Sequence, residues 1–408
     1  MPKVIAIAGT LDTKGEDFAY VRDLIQGLGL GTLTIHTGIF EPAFMPDIGN
    51  AEVASAAGVD MREIAEKKDR AFATATMARG MENLLPALYK EGRLDGVITL
   101  GGSGGTSIVA PGMRALPIGV PKLIVSTLAG GDVSVYVGES DIVMFPSVVD
   151  VAGLNSISTK IYANAAFAIA GMVKFENTVQ TEKKPLVAAT MFGVTTPCVT
   201  MAKEYLESLG YEVLTFHAVG TGGRAMEALI SAGYIEGVLD ITTTEWCDEL
   251  YGGVLNAGPH RLEAAGACGV PQVVSVGALD MVNFGAWDSV PEKYKGRNLY
   301  RHNPTVTLMR TTEAENTGLG EVIAEKLNAA NSPTALMLPL GGVSMLDAPG
   351  QAFRGEAEDK ALFDTLRRKI DPSKVELIEL SCHINDREFA VAAADKLVEL
   401  MKRREKTF

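Results

Sequence analysis

Cysteine is scarce in this chain, and where it occurs it is scattered. Cys198, Cys247, Cys268 and Cys382 are the four in 408 residues. No two are spaced as CxxC, so neither a disulfide framework nor a zinc knuckle is signalled. A reducing compartment, the cytoplasm, is the expectation. Positive charge is also short: 37 Lys and Arg against 50 Asp and Glu leave a net charge of −13. That balance argues against any general attraction to nucleic acid or anionic lipid. Long apolar runs are missing as well. The longest apolar helical segment, residues 163–173, is too short to span a bilayer. The first apolar run, residues 4–8, is cut short by Asp12-Thr13-Lys14, which does not suit a signal peptide. The expected partners are therefore small molecules rather than nucleic acid or membrane. A chain that is 47% hydrophobic and 21% charged fits a globular protein of two or three domains.

Glycine, by contrast, is abundant, with 43 residues that recur after apolar runs. The stretch Gly101-Gly102-Ser103-Gly104-Gly105-Thr106-Ser107 follows residues 95–100, a predicted buried strand, and leads into a predicted helix. Four glycines in five positions permit left-handed backbone angles. Such a turn points several N–H groups into one concavity at the positive end of a helix dipole. Ser103, Thr106 and Ser107 add hydroxyls. This is a recipe for holding a phosphate, although the lysine of a GxxxxGK[ST] loop is absent. A tight strand-to-helix turn without a ligand is the bland alternative; the density of glycine favours the anion site.

Predicted strands at 3–9, 33–37, 94–100, 120–125 and 141–145 alternate with helical segments. Residues 38–60 carry Pro42, Pro46, Gly49 and Gly58 and are expected to form a long irregular connection. A polar, linker-like stretch at 174–185 follows, and the chain then starts again with strands at 185–191 and 211–216. Gly80-Met-Glu-Asn-Leu-Leu is echoed by Ala225-Met-Glu-Ala-Leu-Ile, and Asp95-Gly-Val-Ile by Glu236-Gly-Val-Leu. The segment from Pro117 is echoed by that from Ala267, in the same order. The expectation is an α/β chain of two tandem Rossmann-like units with mainly parallel sheets, related by internal duplication. Residues 1–178 would be a nucleotide-binding unit, and residues 179–408 a unit with substrate- or anion-binding loops. The second carries extra strands at 305–309, 335–340 and 375–380 and a closing helix at 386–402.

Parallel sheets place ligands outside the carboxyl ends of their strands, and the candidate residues lie there. Thr10, Asp12, Thr13 and Lys14 follow the first strand. Lys14 has the charge to neutralise a phosphate and Asp12 the oxygens to take a magnesium ion. Equally, Asp12 or Thr13 suits a helix N-cap. Ser126 and Thr127 end another strand of the same unit. In the second half the counterpart of the glycine stretch is Thr242-Thr-Thr-Glu245-Trp-Cys-Asp248, a carboxylate cluster in place of amides. Glu245 and Asp248 are candidates for general base and metal ligand. His260 and Arg261 stand at a predicted helix start, suited to an anionic substrate. His383 follows a strand, with Asp386 either orienting it or capping the last helix. Gly220-Thr-Gly-Gly-Arg224 and Pro339-Leu-Gly-Gly-Val-Ser344 are weaker phosphate-type turns. No set of metal ligands is assigned.

The runs DGVITLGGSGGTS, LPIGVPKLIVSTLAGGDVSVYVGESDI, EWCDELYGGVLNAGPHRLEAA, HNPTVTLMRTT, PLGGVSMLD and SCHINDREFA resemble the Tm-1-like family, also called UPF0261. The likeness covers nearly the whole chain. It implies an ATP-binding α/β protein of two subdomains, dimeric in its plant member, where it sequesters a viral replication protein. A homodimer is expected here on that ground. With ATP taken from the resemblance, the residues expected to contact it are Thr10, Asp12, Thr13, Lys14, Gly101, Gly102, Ser103, Gly104, Gly105, Thr106, Ser126 and Thr127, and magnesium is expected to accompany it. Three functions stay open. The preferred one is a cytoplasmic ATP-dependent enzyme transferring a phosphoryl or adenylyl group to an organic acid or alcohol. Glu245, Asp248, His260, Arg261 and His383 are its catalytic candidates. The others are a nucleotide-responsive binding protein without turnover, and a metal-assisted hydrolase or lyase regulated by ATP.

Overall fold

The computed structural model describes residues 2–175 and 183–405, so most of the linker-like stretch lies outside the described residues. The chain divides into two compact units, residues 1–181 and 182–408. Among the described residues no helix is long and apolar enough to cross a membrane.

The first unit runs β1 (Val4–Gly9), α1 (Gly15–Gly27), β2 (Gly31–His36), α2 (Asn50–Ala56), α3 (Met61–Lys67), α4 (Arg70–Lys90), β3 (Gly96–Gly101), α5 (Ser103–Arg114), β4 (Lys122–Ser126), α6 (Ser134–Val137), β5 (Val143–Pro146) and α7 (Ser158–Lys174). Its strands pair in the order β2-β1-β3-β4-β5, all parallel. A parallel sheet is covered on both faces, so its inner strands read as continuous apolar runs. Residues Ile5 to Ala8 and all of β3 are accordingly buried. Ala6, Val97 and Ile124 pack under Met77, Met81 and Val109 of α4 and α5. On the opposite face Ile5, Ile7 and Ile98 meet Phe18 of α1 and Ile169 of α7. The 38–60 connection is less irregular than its prolines and glycines suggest, because it contains α2. There Glu52, three residues into the helix, accepts the amide of the N-cap Gly49 at 3.1 Å and fixes a helix start that the turn residues mask in the sequence.

The second unit runs β6 (Leu186–Met191), α8 (Thr196–Ser208), β7 (Glu212–His217), α9 (Thr221–Ser231), β8 (Gly237–Thr242), α10 (Glu245–Tyr251), α11 (Ala264–Ala267), β9 (Gln272–Gly277), β10 (Met281–Phe284), β11 (Leu299–Asn303), β12 (Val306–Arg310), α12 (Glu313–Asn328), β13 (Thr334–Pro339), α13 (Glu356–Lys369), β14 (Val375–Leu380) and α14 (Arg387–Glu405). Its main sheet has the order β7-β6-β8-β9-β13-β14, again parallel. The first five positions repeat the order of the first unit, as a duplication requires. The Rossmann-like, mainly parallel α/β architecture stands. A second sheet, β10-β12-β11, is antiparallel and escapes the sequence reading except for β12. The reason is local: β10 has four residues, and β11 is mostly polar and exposed.

In both units the strand order reverses direction at one place, between β1 and β3 and between β6 and β8. A crevice opens at the carboxyl ends of such a strand pair. It falls beside the 9–14 and 101–107 loops in the first unit, and beside the 192–195 and 242–245 loops in the second.

Candidate functional site

In the first unit the glycine stretch forms the end of β3 and the first turn of α5. Gly102 is the N-cap, with φ −90° and ψ −156°, and no side chain caps the helix. The first hydrogen bond of the turn runs from the Thr106 amide to the Gly102 carbonyl at 3.0 Å. The amides of Ser103, Gly104 and Gly105 therefore open the helix without intrahelical partners. None of the four glycines has a positive φ, so the expected left-handed turn is absent. Their bareness serves close approach instead: a Cβ at Gly101 would lie 3.2 Å from the Gly105 Cα. The turn is an exposed helix start that a phosphate can reach.

The hydroxyls divide into two groups. Thr106 and Ser126 are buried and bonded to each other at 2.9 Å, and Ser126 also accepts the Leu128 amide. They fasten α5 to β4 rather than face a ligand. Ser103 and Thr127 are exposed, and a Cβ at Gly102 would lie 3.4 Å from the Thr127 Oγ1. One residue the sequence reading overlooked joins them. Arg70, the first residue of α4, is exposed and makes no ion pair or hydrogen bond among the described residues. Its Nη2 would lie 3.8 Å from a Cβ at Gly104. A hollow of about 630 Å³ adjoins it, lined by Arg70, Ala71, Thr74, Ala75, Ala78 and Ser107. A signal existed: a cation in the first turn of a helix opposes the helix dipole.

The 9–14 loop lies at the other side of the same strand pair. Lys14 donates to the carbonyl of Val151, which ties the loop to the chain after β5. Neither Asp12 nor Thr13 caps α1: its N-cap is Lys14, without a side-chain bond. Thr13 instead bonds Thr10 Oγ1 at 3.0 Å, and Asp12 Oδ2 accepts the Phe40 amide at 3.1 Å. Asp12 Oδ1 is enclosed and has no partner. Among the described residues no group of three or more His, Cys, Asp or Glu is set to hold a metal ion.

The second unit answers differently at the equivalent place. Thr195 and Thr242 join hydroxyls across its crevice at 2.7 Å, and Asn385 binds the Val194 carbonyl at 3.0 Å. Glu245 is buried and its oxygens are taken. Oε1 accepts the amides of Gly220 at 2.7 Å and Gly223 at 3.2 Å, and Oε2 accepts Arg261 Nε at 2.6 Å. The weaker phosphate-type turn at 220–224 is thus filled from within by a carboxylate, and Gly223 leaves the room for it. Arg261 is equally committed: beyond Glu245 it bonds Asp240 twice, Glu227 at 3.2 Å and the Thr242 carbonyl at 3.4 Å. Asp240 and Glu227 were not singled out in the sequence, although a carboxylate inside the apolar β8 run signals a buried cation. Asp248 accepts the Asn283 amide at 2.7 Å and the Leu255 amide at 2.8 Å, while burial pushes its carboxyl up to about 7. These arrangements hold loops together.

The two histidines are apart in character. His260 is exposed and pairs with Glu263 at 2.9 Å. His383 accepts the Asn385 amide on Nδ1 at 3.0 Å, so its proton sits on Nε2 and is donated to the Ser344 carbonyl at 2.8 Å. Asp386 takes the backbone amide of His383 at 2.8 Å rather than its ring. The 339–344 turn is bound up in the same network, with Ser344 Oγ donating to buried Asp280 at 2.7 Å.

Comparison with known proteins agrees over the full length. Residues 3–178 match the N-terminal domain, and residues 184–401 the C-terminal domain, of an uncharacterised protein family, UPF0261. A UPF0261 protein of Clostridium tetani is 56% identical over 99% of this chain and 100% of its own. The ToMV resistance protein Tm-1(GCR237) of Solanum lycopersicum is 41% identical over 98% of this chain, which spans 56% of the tomato protein. Among solved structures, UDP-GlcNAc 2-epimerase of Methanocaldococcus jannaschii aligns over 67% of this chain and 83% of its own, with 11% identity and a TM-score of 0.22. That likeness is too slight to bear on function. With both halves matched and relatives aligned from end to end, the chain belongs to the UPF0261 family.

Proposed function

We propose that the first unit binds ATP, with its phosphates on the amides that open α5. The supporting observation is an uncapped, exposed helix start at the strand-order reversal, with the unpartnered guanidinium of Arg70 beside it. Arginine is suited to phosphate because its planar fork makes two charge-assisted bonds. A shallow, alanine-lined surface next to Arg70 leaves room for the nucleoside. That the nucleotide is ATP rests on the family resemblance. Magnesium would enter on the phosphates, held by their oxygens and water, since Asp12 has one oxygen enclosed and the other on Phe40.

Of the three functions, a nucleotide-responsive binding protein has the better support. Glu245, Asp248 and Arg261, expected to act on a substrate, have their polar atoms satisfied internally. A general base needs an oxygen within reach of the proton it removes.

Calorimetry with ATP and magnesium tests the site. A Cβ at Gly104 or Gly105 meets nothing closer than 3.4 Å, so both alanine variants are expected to fold while a methyl obstructs the phosphate approach. Affinity should fall by about tenfold or more in each, and by a similar factor in Arg70→Ala. Full affinity in all three variants would remove the α5 site.

A further inference from the structure

We propose that His36, held as the neutral imidazole with its proton on Nε2, positions the 9–14 loop for nucleotide binding, and that protonation of His36 releases the loop. The inference rests on the nucleotide reading of the first unit for its consequence, though not for the loop itself. His36 ends β2 and is 1% exposed. Its Nδ1 accepts two backbone amides, from Leu11 at 3.2 Å and from Gly38 at 3.3 Å. Backbone amides only donate, so Nδ1 carries no proton, and Nε2 donates to the Phe40 carbonyl at 2.9 Å.

One ring therefore joins two loops at the candidate crevice. Leu11 belongs to the 9–14 loop that follows β1, whereas Gly38 and Phe40 belong to the connection that follows β2. Three further bonds follow the same seam: Thr37 N–H to Gly9 carbonyl at 2.9 Å, Ala43 N–H to Leu11 carbonyl at 3.0 Å, and Phe40 N–H to Asp12 at 3.1 Å. A second proton on the ring would confront two N–H groups with a third donor, and an imidazolium has no acceptor to offer them. Two of its three bonds must then break.

Three charged groups lie on the elements around the ring. Asp12 lies against Gly38, with Oδ2 taken by the Phe40 amide and Oδ1 enclosed without a partner. Asp47 is engaged by the amide and hydroxyl of Thr34, two residues earlier on the same strand face. Lys14 is turned to Val151. Opening of the seam frees the ring to take up a proton, so lowering the pH favours the open loop.

The experiment has two arms, on wild type and on His36→Gln, whose amide can accept and donate but does not titrate. The first measures hydrogen-exchange protection of the Leu11 and Gly38 amides from pH 8 to 5 without nucleotide. Protection should fall in wild type and hold steady in the variant. The second measures ATP affinity by calorimetry over the same range. The ratio of the two affinities cancels the nucleotide's own titration. At pH 8 the variant should bind within about fivefold of wild type, the equivalent of one neutral hydrogen bond. Below that, wild-type affinity should fall relative to the variant by up to about tenfold per pH unit, the limit for one linked proton. Parallel affinity curves, or protection that persists in wild type at pH 5, overturn the inference. ATP binding absent at every pH, with Leu11 and Gly38 still losing protection in wild type, overturns the nucleotide reading and supports the His36 hold on the loop. A variant that fails to fold leaves the wild-type arm decisive, because protection must still fall with pH.

Discussion

Arg261 holds Asp240 through both terminal nitrogens, with Nη1 2.5 Å from Oδ2 and Nη2 2.7 Å from Oδ1, inside the second unit. Its Nε takes Glu245 and its Nη1 also reaches Glu227, so one cation closes on three acids. Backbone amides relieve the excess charge: Gly220 and Gly223 on Glu245, Leu262 and Ala264 on Glu227. Removing the cation leaves buried carboxylates unpaired. Arg261→Ala is expected to cost about 3–5 kcal/mol in urea denaturation. Arg261→Lys should recover only part of that, because an ammonium cannot reproduce the fork. A midpoint unchanged by Arg261→Ala would deny the network its structural role.

Glu245→Gln separates charge from shape. Both carboxylate oxygens accept from N–H donors, so whichever way the amide turns, its NH₂ meets a donor. Stability is expected to drop by about 2–3 kcal/mol. ATP affinity of the folded variant should be unchanged, since the proposed phosphate contacts all lie in the first unit. Calorimetry showing lost binding with the fold intact would mean that the nucleotide site includes Glu245.

Acidity should stabilise part of the second unit. Burial pushes the carboxyls of Asp248 and Asp359 up to about 7 and that of Asp280 up to about 6, and it raises Asp347 as well. Folded values above the unfolded ones mean that the folded state binds more protons between about pH 4 and 7. Their contribution is complete below the unfolded carboxylate range and is lost as pH rises through the folded values. Unfolding free energy is therefore expected to decline from pH 5 to 8. Asp359→Asn keeps an acceptor for Arg310, 2.8 Å away in the wild type, and cannot ionise. Its curve should be flatter by up to about 1.4 kcal/mol per pH unit. Identical slopes for wild type and variant would rule Asp359 out as a titrating group.

The four thiols should react in a set order. Cys268 is exposed and Cys382 half-buried, whereas Cys198 and Cys247 are buried. Burial raises the Cys382 thiol, pushes that of Cys198 up to about 12 and drives that of Cys247 well above its ordinary value. A thiol reagent should label Cys268 quickly and Cys382 slowly, and should reach the other two only on unfolding. Rapid labelling of Cys247 in the native protein would contradict the packing around α10.

Much of the fold was legible because its signals are local. Apolar runs bounded by glycine marked the parallel strands, and the echo of Gly80-Met-Glu-Asn-Leu-Leu at Ala225 marked the duplication that the two strand orders repeat. The antiparallel sheet was lost where that signal fails, in the polar β11. The position of the first-unit crevice was also legible, because loops after parallel strands gather at one edge. The backbone of the glycine stretch was not: its glycines give bareness at a helix start rather than left-handed angles.

What the sequence by itself determined is the order of the parallel strands and of the main helices between them, the repeated unit and the family. Hydrophobic spacing and glycine act on immediate neighbours, and a linear reading captures them. Tertiary structure alone decided which polar groups remain free. Glu245 and Arg261 had the composition of a catalytic pair, but Gly220, Gly223, Asp240 and Glu227 converge on them from other elements and satisfy them. Arg70 looked like an ordinary surface residue until folding left it unpaired beside Gly104. Whether a charge serves the fold or a ligand depends on what the chain brings within about 3 Å of it, and that proximity is set by packing across the sequence rather than along it.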